Sequence, residues 1–123
     1  MMTDKDFDIC DRTFQFSVRI VKLCNFINET PGSTRELSKQ LIRSGTYIGA
    51  NVEESRAAQS TADFIHKLEI ALKEARETRY WIKLVIATSL VPENRLLPLL
   101  SEINELMNII AAIIIKSKHN KKK

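Results

Sequence analysis

The chain is short of almost everything that builds turns, loops and metal sites. Three glycines and three prolines in 123 residues leave β-turn-rich architectures poorly supplied. With only Gly32, Gly45 and Gly49 to draw on, no phosphate-cradling loop can be assembled. Cys10 and Cys24 lie too far apart for a CxxC metal or redox motif. The histidines are His66 and His119. A di-metal carboxylate bundle needs a pair of Glu-x-x-His motifs plus two further inward glutamates, and this chain offers only Asp63-x-x-His66 and His66-x-x-Glu69. No nucleophile elbow exists. The expectation is a protein with no cofactor, no metal and no catalytic set.

Long apolar runs are missing too. None reaches the ~20 residues that span a bilayer, and Asp4, Asp6 and Asp8 stand where a signal peptide would need an apolar segment. The expected setting is a reduced cytoplasm, with no membrane partner.

What is present is helical. A composition of 44% hydrophobic and 28% charged residues fits one soluble, mostly helical domain. The formal charge of +4 is a property of the end of the chain. Lys116, Lys118, Lys121, Lys122 and Lys123 are five of the 19 basic residues, leaving 14 against 15 acidic groups in residues 1–115. We therefore divide the chain into a bundle over 1–115 and a Lys-rich tail over 116–123.

Hydrophobic periodicity predicts four helices, over about 11–29, 33–56, 60–90 and 92–117. Phe16, Ile20, Leu23 and Ile27 recur at helical spacing in the first, with Asp11 as N-cap and Thr30-Pro31-Gly32 as its stop. Ser33 with Glu36 reads as a capping box for the second, which carries Leu37, Leu41, Ile48 and Val52 on its buried stripe. A second box, Ser60 with Asp63, opens the third, whose apolar side runs from Phe64 to Ile86. That helix would be roughly 45 Å long at 1.5 Å per residue. Pro92 suits the first turn of the fourth, and Pro98 either kinks it or marks its true start. The run from Ile109 through Ile113 and Ile114 to Ile115 is apolar around the whole circumference. It needs cover on all sides or leaves a greasy surface, and Ile109, Ile113 and Ile114 are the candidates for contact with a partner subunit.

Small and polar residues interrupt this pattern inside the bundle. Gly45 and Gly49 form a GxxxG spacing, and each costs about 1 kcal/mol of helix propensity relative to alanine. Close approach of a neighbouring helix offsets that cost. A membrane reading of the same spacing is excluded by Arg43, Asn51, Glu53 and Glu54. An antiparallel hairpin turning around residues 57–60 places Arg43 near Glu74, Gln40 near Glu77 and Asn51 near His66. Arg79 falls on the apolar stripe between Ala75 and Ile82. Such a set is either a polar site within the bundle or a hydrogen-bonded network that fixes helix register. We read it as the network, with Gln40, Arg43, Gly45, Gly49, Asn51, Glu54, Glu77 and Arg79 holding the architecture. For nucleic acid, Arg12, Arg19 and Lys22 share one face of the first helix and the tail adds its five lysines. Salt-sensitive, backbone-directed binding needs little more, although no aromatic platform for unpaired bases is visible.

The run Gln40-Leu41-x-Arg43-Ser44-Gly45-Thr46-x-Ile48-Gly49-Ala50-Asn51-Val52-x-Glu54 continues through Ala58-Gln59-Ser60, Asp63-Phe64, Lys67-Leu68, Ala71-Leu72-Lys73-Glu74 and Glu77-Thr78-x-x-Trp81. It resembles the signature of the 23S rRNA intervening-sequence protein family, whose members are often encoded inside insertions in large-subunit rRNA genes. Glu53 and Ser55 depart from it, standing where small residues would be expected. The resemblance implies an all-α, up-down-up-down four-helix bundle that assembles as a homopentamer and has no known catalysis. A related branch, the accessory variability determinants of diversity-generating retroelements, partners a reverse transcriptase and binds nucleic acid. The function expected from these readings is a non-enzymatic, self-associating scaffold that contacts RNA or DNA. The alternative is a protein-interaction module with no nucleic-acid role.

Overall fold

The computed structural model describes residues 4–29 and 35–121. It consists of four helices, α1 (Asp4–Glu29), α2 (Arg35–Arg56), α3 (Thr61–Ala87) and α4 (Glu93–Lys121). Each packs on its neighbours in the order α1–α2–α3–α4–α1, and the α1–α4 seam is the thinnest of the four. Long-range pairs fix the register and show every neighbour to be antiparallel. Ile20 meets Gly45 while Thr13 meets Gly49. Ser44 meets Thr78, Arg79 meets Asn104 while Lys118 meets Glu69, and Arg12 meets Glu102 while Phe26 meets Arg95. The result is an up-down-up-down four-helix bundle.

Helix boundaries follow local chemistry. Helix α1 begins at Asp4 rather than near Asp11. Ile9 and Cys10 are buried one turn further in, so packing holds the early turns. The stop at Thr30-Pro31-Gly32 and the Ser33 cap lie outside the described residues. At α3, Ser60 accepts from the Asp63 amide at 3.0 Å. The return bond of the box goes to the Gln59 amide, which donates to Asp63 Oδ2 at 3.3 Å. Helix α3 ends at Ala87, short of Leu90, because Ser89 turns left-handed with φ 56°. The Leu90 amide then reaches back to the Val85 carbonyl at 3.3 Å and the Ser89 amide to Ile86 at 3.1 Å, a Schellman-type closure that usually carries glycine. Serine in this conformation is strained. Ser89→Gly should therefore raise stability by about 0.5–1 kcal/mol, read as a higher melting temperature with an unchanged helical spectrum.

Helix α4 runs straight through Pro98. Pro98 lies in the second turn, where it deprives only the Asn94 carbonyl of a helical donor. By length and composition α4 is apolar enough to cross a membrane. In this fold its apolar stripe Leu96, Leu99, Ile103, Leu106, Ile110 and Ile114 points into the core, where it meets Phe16 and Ile20 of α1, Ile48 of α2 and Leu68 and Ile82 of α3. Burying each such side chain contributes about 1.5–3 kcal/mol. The helix continues to Lys121, so Lys116 and Lys118 stand on its last turns rather than on a separate tail. Lysine is a good helix former and suits the negative end of the dipole.

Polar groups inside the bundle are satisfied locally. Thr13 donates to the Ile9 and Cys10 carbonyls, Ser55 to Val52, and Thr78 to Glu74, one turn back, and to Ser44 across the helix interface. Among the described residues no buried side-chain nitrogen or oxygen lacks a partner, which matters because an orphaned one costs about 1–3 kcal/mol.

Candidate functional site

Two polar features stand on opposite sides of the bundle. The first is a charged cluster on the outer α2–α3 face, centred on Arg43. Its guanidinium donates to Glu74 Oε2 at 3.2 Å, to Glu77 Oε1 and to Gln40 Oε1 at 3.4 Å. Trp81 Nε1 also donates to Glu77 Oε1, at 3.3 Å, and its ring meets Tyr80 edge-to-face at 5.0 Å. Glu74 is 8% exposed, so its charge depends on this arginine. Helix α2 supplies Gln40 and Arg43 at i, i+3, and α3 supplies Glu74, Glu77 and Trp81 at i, i+3, i+7, which puts each set on a single stripe. The cluster has carboxylates but no nucleophile among its residues. Its chemistry is that of a clamp between two helices.

The other architectural candidates fall elsewhere. Gly45 and Gly49 lie on the α1-facing side of α2. A Cβ on Gly45 would sit 2.8 Å from Ile20 Cγ2, and one on Gly49 would sit 3.2 Å from the Thr13 carbonyl oxygen. Asn51 donates to the Tyr47 carbonyl one turn back, at 2.9 Å, and is not joined to His66, which is exposed. Glu54 is exposed as well and takes no part in the network, standing about three turns along α2 from Arg43. Arg79 leaves the apolar stripe by extending its stem toward α4, where it donates to Asn104 Oδ1 at 3.1 Å.

The second feature is the α1–α4 seam. Of the basic residues expected to share a face of α1, Arg12 is committed to the fold. It pairs with Glu102 at 2.7 Å and with Glu105 at 3.1 Å, and hydrogen bonds to these carboxylates push its pKa up. Arg12 therefore is not a free phosphate contact. Arg19 and Lys22 are different: both are exposed and border a groove of about 550 Å³ where α1 ends and α4 begins. Across it stands Arg95, whose guanidinium carbon lies 4.3 Å from the centroid of the Phe26 ring. The sequence reading missed Arg95 and Phe26, since only the fold brings together two residues so far apart in the chain.

The C-terminal lysines do not act as one group. Lys118 pairs with Glu69 at 3.2 Å, Lys116 is exposed, Lys121 is the last described helical residue, and Lys122 and Lys123 lie outside the described residues. The proposed interface residues of α4 are also redistributed. Ile114 is buried within the protomer, and Ile109 and Ile113 are half-buried against the same core. The exposed isoleucine of that run is Ile115, at 68%. A second apolar surface appears on the α1–α2 side. Phe14, Val18 and Val21 fall on one stripe of α1, with Phe14 60% exposed, and Ile42 is exposed on the α1-facing edge of α2.

Among the described residues no group of three or more His, Cys, Asp or Glu is placed to hold a metal. Both cysteines are buried and neither forms a disulfide. Burial pushes the Cys24 thiol above its ordinary range, and its Sγ donates to the Ser38 carbonyl, which keeps it protonated and inert.

Comparison with known proteins places this architecture. The chain is similar to a protein of unknown function from the S23 ribosomal protein family of Bacteroides thetaiotaomicron VPI-5482, solved by crystallography. The two share 44% identity over 89% of this chain and 97% of that one, with a TM-score of 0.83. No curated protein matches the chain. Residues 5–112 match the model of the family described as 23S rRNA-intervening sequence protein. The residues carrying that signature include Gln40, Arg43, Glu74, Glu77 and Trp81, which meet in the clamp between α2 and α3. This chain belongs to the 23S rRNA-intervening sequence protein family.

Proposed function

We propose that this protein is a non-enzymatic, self-associating scaffold that contacts RNA in the cytoplasm. The observation that carries the reading is the α1–α4 seam, where Arg19, Lys22 and Arg95 have no carboxylate within ion-pair distance among the described residues. Several other cations of the body are neutralised. Arg12, Arg43, Arg56 and Lys118 all face glutamates. Unpaired cations gathered at a groove make a phosphate-binding surface.

Self-association rests on the apolar stripe of Phe14, Val18 and Val21 beside Ile42, and on Ile115. Family resemblance suggests five copies. A ring would repeat each seam around its circumference, and weak individual contacts then gain avidity. The same stripe supports a second reading, in which the apolar surface docks a different protein and RNA has no role.

Structured RNA titrated across a salt series, with light scattering on the same sample, tests the proposal. The expected result is binding at low salt that weakens steeply as salt rises, by a particle several times the 14.1 kDa protomer mass. Absence of binding at low salt, or affinity indifferent to salt, overturns the RNA reading. A lone 14.1 kDa chain at micromolar concentration overturns the assembly. Partners that survive nuclease treatment favour the protein-docking alternative.

A further inference from the structure

The groove at the α1–α4 seam has features that a merely basic surface lacks. Its α1 wall presents Arg19, Lys22 and Phe26 at i, i+3, i+7, and its α4 wall presents Asn94, Arg95 and Pro98. Arg95 is not a loose cation. Its guanidinium carbon sits over the Phe26 ring, 4.3 Å from the centroid, so the side chain is already restrained and less entropy is lost when a ligand arrives. Pro98 has no amide hydrogen, so the Asn94 carbonyl beside it is a backbone acceptor without a helical donor. The groove also sits at the first turn of α4, the positive end of that helix dipole.

This combination sorts among anions. An acidic peptide would use the cations but has nothing flat to lay against the guanidinium. A duplex presents phosphates but keeps its bases stacked within the helix. An unpaired nucleotide offers a phosphate, a flat base and ring N–H donors together. Resting on the RNA reading above, we infer that this groove takes one unpaired nucleotide of a single-stranded RNA segment. Its phosphate lies against Arg19 and Lys22, its base stacks on the Arg95 guanidinium backed by Phe26, and base donors have the Asn94 carbonyl within the site. Recognition is by stacking and charge, so it selects unpaired over paired RNA more strongly than one base over another.

Fluorescence anisotropy on the full chain tests this, using a short adenine-rich single-stranded RNA, the same sequence as a duplex, and inorganic polyphosphate as a polyanion without bases. Arg95→Lys keeps the charge and removes the planar stack. It should weaken single-stranded RNA about tenfold while leaving polyphosphate binding unchanged. The exposed pair Arg19→Gln with Lys22→Gln should weaken both ligands and reduce the salt slope for single-stranded RNA by roughly 1.4. Equal affinity of wild type for the single strand and the duplex overturns the inference, as does wild-type affinity of Arg95→Lys for the single strand. If wild type binds RNA and groove variants change nothing, while glutamine at Lys116, Lys118 and Lys121 abolishes binding, the groove is wrong and the RNA reading survives. If wild type binds no RNA at low salt, both fail together.

Discussion

Arg43→Met should lower the free energy of unfolding by about 3 kcal/mol in a denaturant titration. The arginine holds Glu74 at 3.2 Å on one nitrogen and Glu77 on another, and Glu74 is 8% exposed. Removing the cation leaves a carboxylate with little water and no opposing charge, which costs far more than losing an exposed pair worth 0–1 kcal/mol. The estimate sits at the lower end for a buried pair because the Arg43 side chain is 39% exposed and Glu77 30%, so solvent screens part of the interaction. Arg43→Lys keeps the charge but cannot fork to both carboxylates and Gln40, and should cost about 1 kcal/mol. Arg43→Met combined with Glu74→Leu removes both charges and should recover most of the loss. A single-variant loss below 1 kcal/mol would show the cluster to be ordinary surface charge that does not organise the α2–α3 hairpin.

This clamp and the basic seam divide the protein's polar chemistry between opposite faces. In a bundle with each helix packed only on its neighbours, the α2–α3 side lies across the core from the α1–α4 side. The α2–α3 side is knitted by Arg43, by the Ser44–Thr78 bond and by Trp81. The α1–α4 side is thin, held by Arg12 at one end and by Arg95 on Phe26 at the other. A bundle held firmly along one side can leave the opposite seam open for a ligand without losing its register. Substitutions in the clamp should thus act on RNA binding only through the folded fraction, whereas Arg19→Gln and Lys22→Gln, at exposed positions of the groove, act on binding at unchanged stability.

How much of this was legible in the sequence depended on the distance over which each feature is encoded. The four helices were readable because their apolar residues repeat every three or four positions, and Ser60 with Asp63 marked one boundary to the residue. The Arg43–Glu74 pairing followed from a short turn at residues 57–60, since a tight hairpin leaves little freedom of register. The Asn51–His66 pairing expected from the same reasoning is not made, because a register argument fixes level along a helix but not the direction a side chain takes around it. The start of α1 was misjudged because Asp11 was read as an N-cap, whereas the helix already runs from Asp4. The seam was invisible: Arg12 and Glu102, or Phe26 and Arg95, are joined only when the first and last helices close the bundle. The same closure decided that Arg12 would be neutralised and Arg19 would not. The helix-four isoleucines looked apolar on every side, yet only the fold shows that Ile114 turns inward and Ile115 outward.

The closest packing in the protein yields the remaining large effect. Gly45→Val should destabilise the fold by about 3 kcal/mol, although it removes a glycine from the middle of a helix. In open space the exchange to alanine alone would gain about 1 kcal/mol of helix propensity. Here a Cβ would stand 2.8 Å and 2.9 Å from the two γ-carbons of Ile20, a side chain with no exposure and no room to retreat. Those atoms are attached directly to the Ile20 Cβ and cannot swing aside as the end of a long side chain would, so α1 and α2 must separate. A thermodynamic cycle with Ile20→Ala isolates the cause. Ile20→Ala should itself cost about 2–5 kcal/mol, and Gly45→Ala, destabilising in the wild-type background, should become neutral or stabilising in that one as helix propensity reasserts itself. The coupling should reach 1–3 kcal/mol. Additive losses would mean that the glycine is not there to admit Ile20. Gly49→Ala provides the internal comparison. Its Cβ would meet the Thr13 carbonyl oxygen at 3.2 Å and Ser17 Oγ at 3.3 Å, a tight but survivable approach, so its loss should be smaller and indifferent to Ile20.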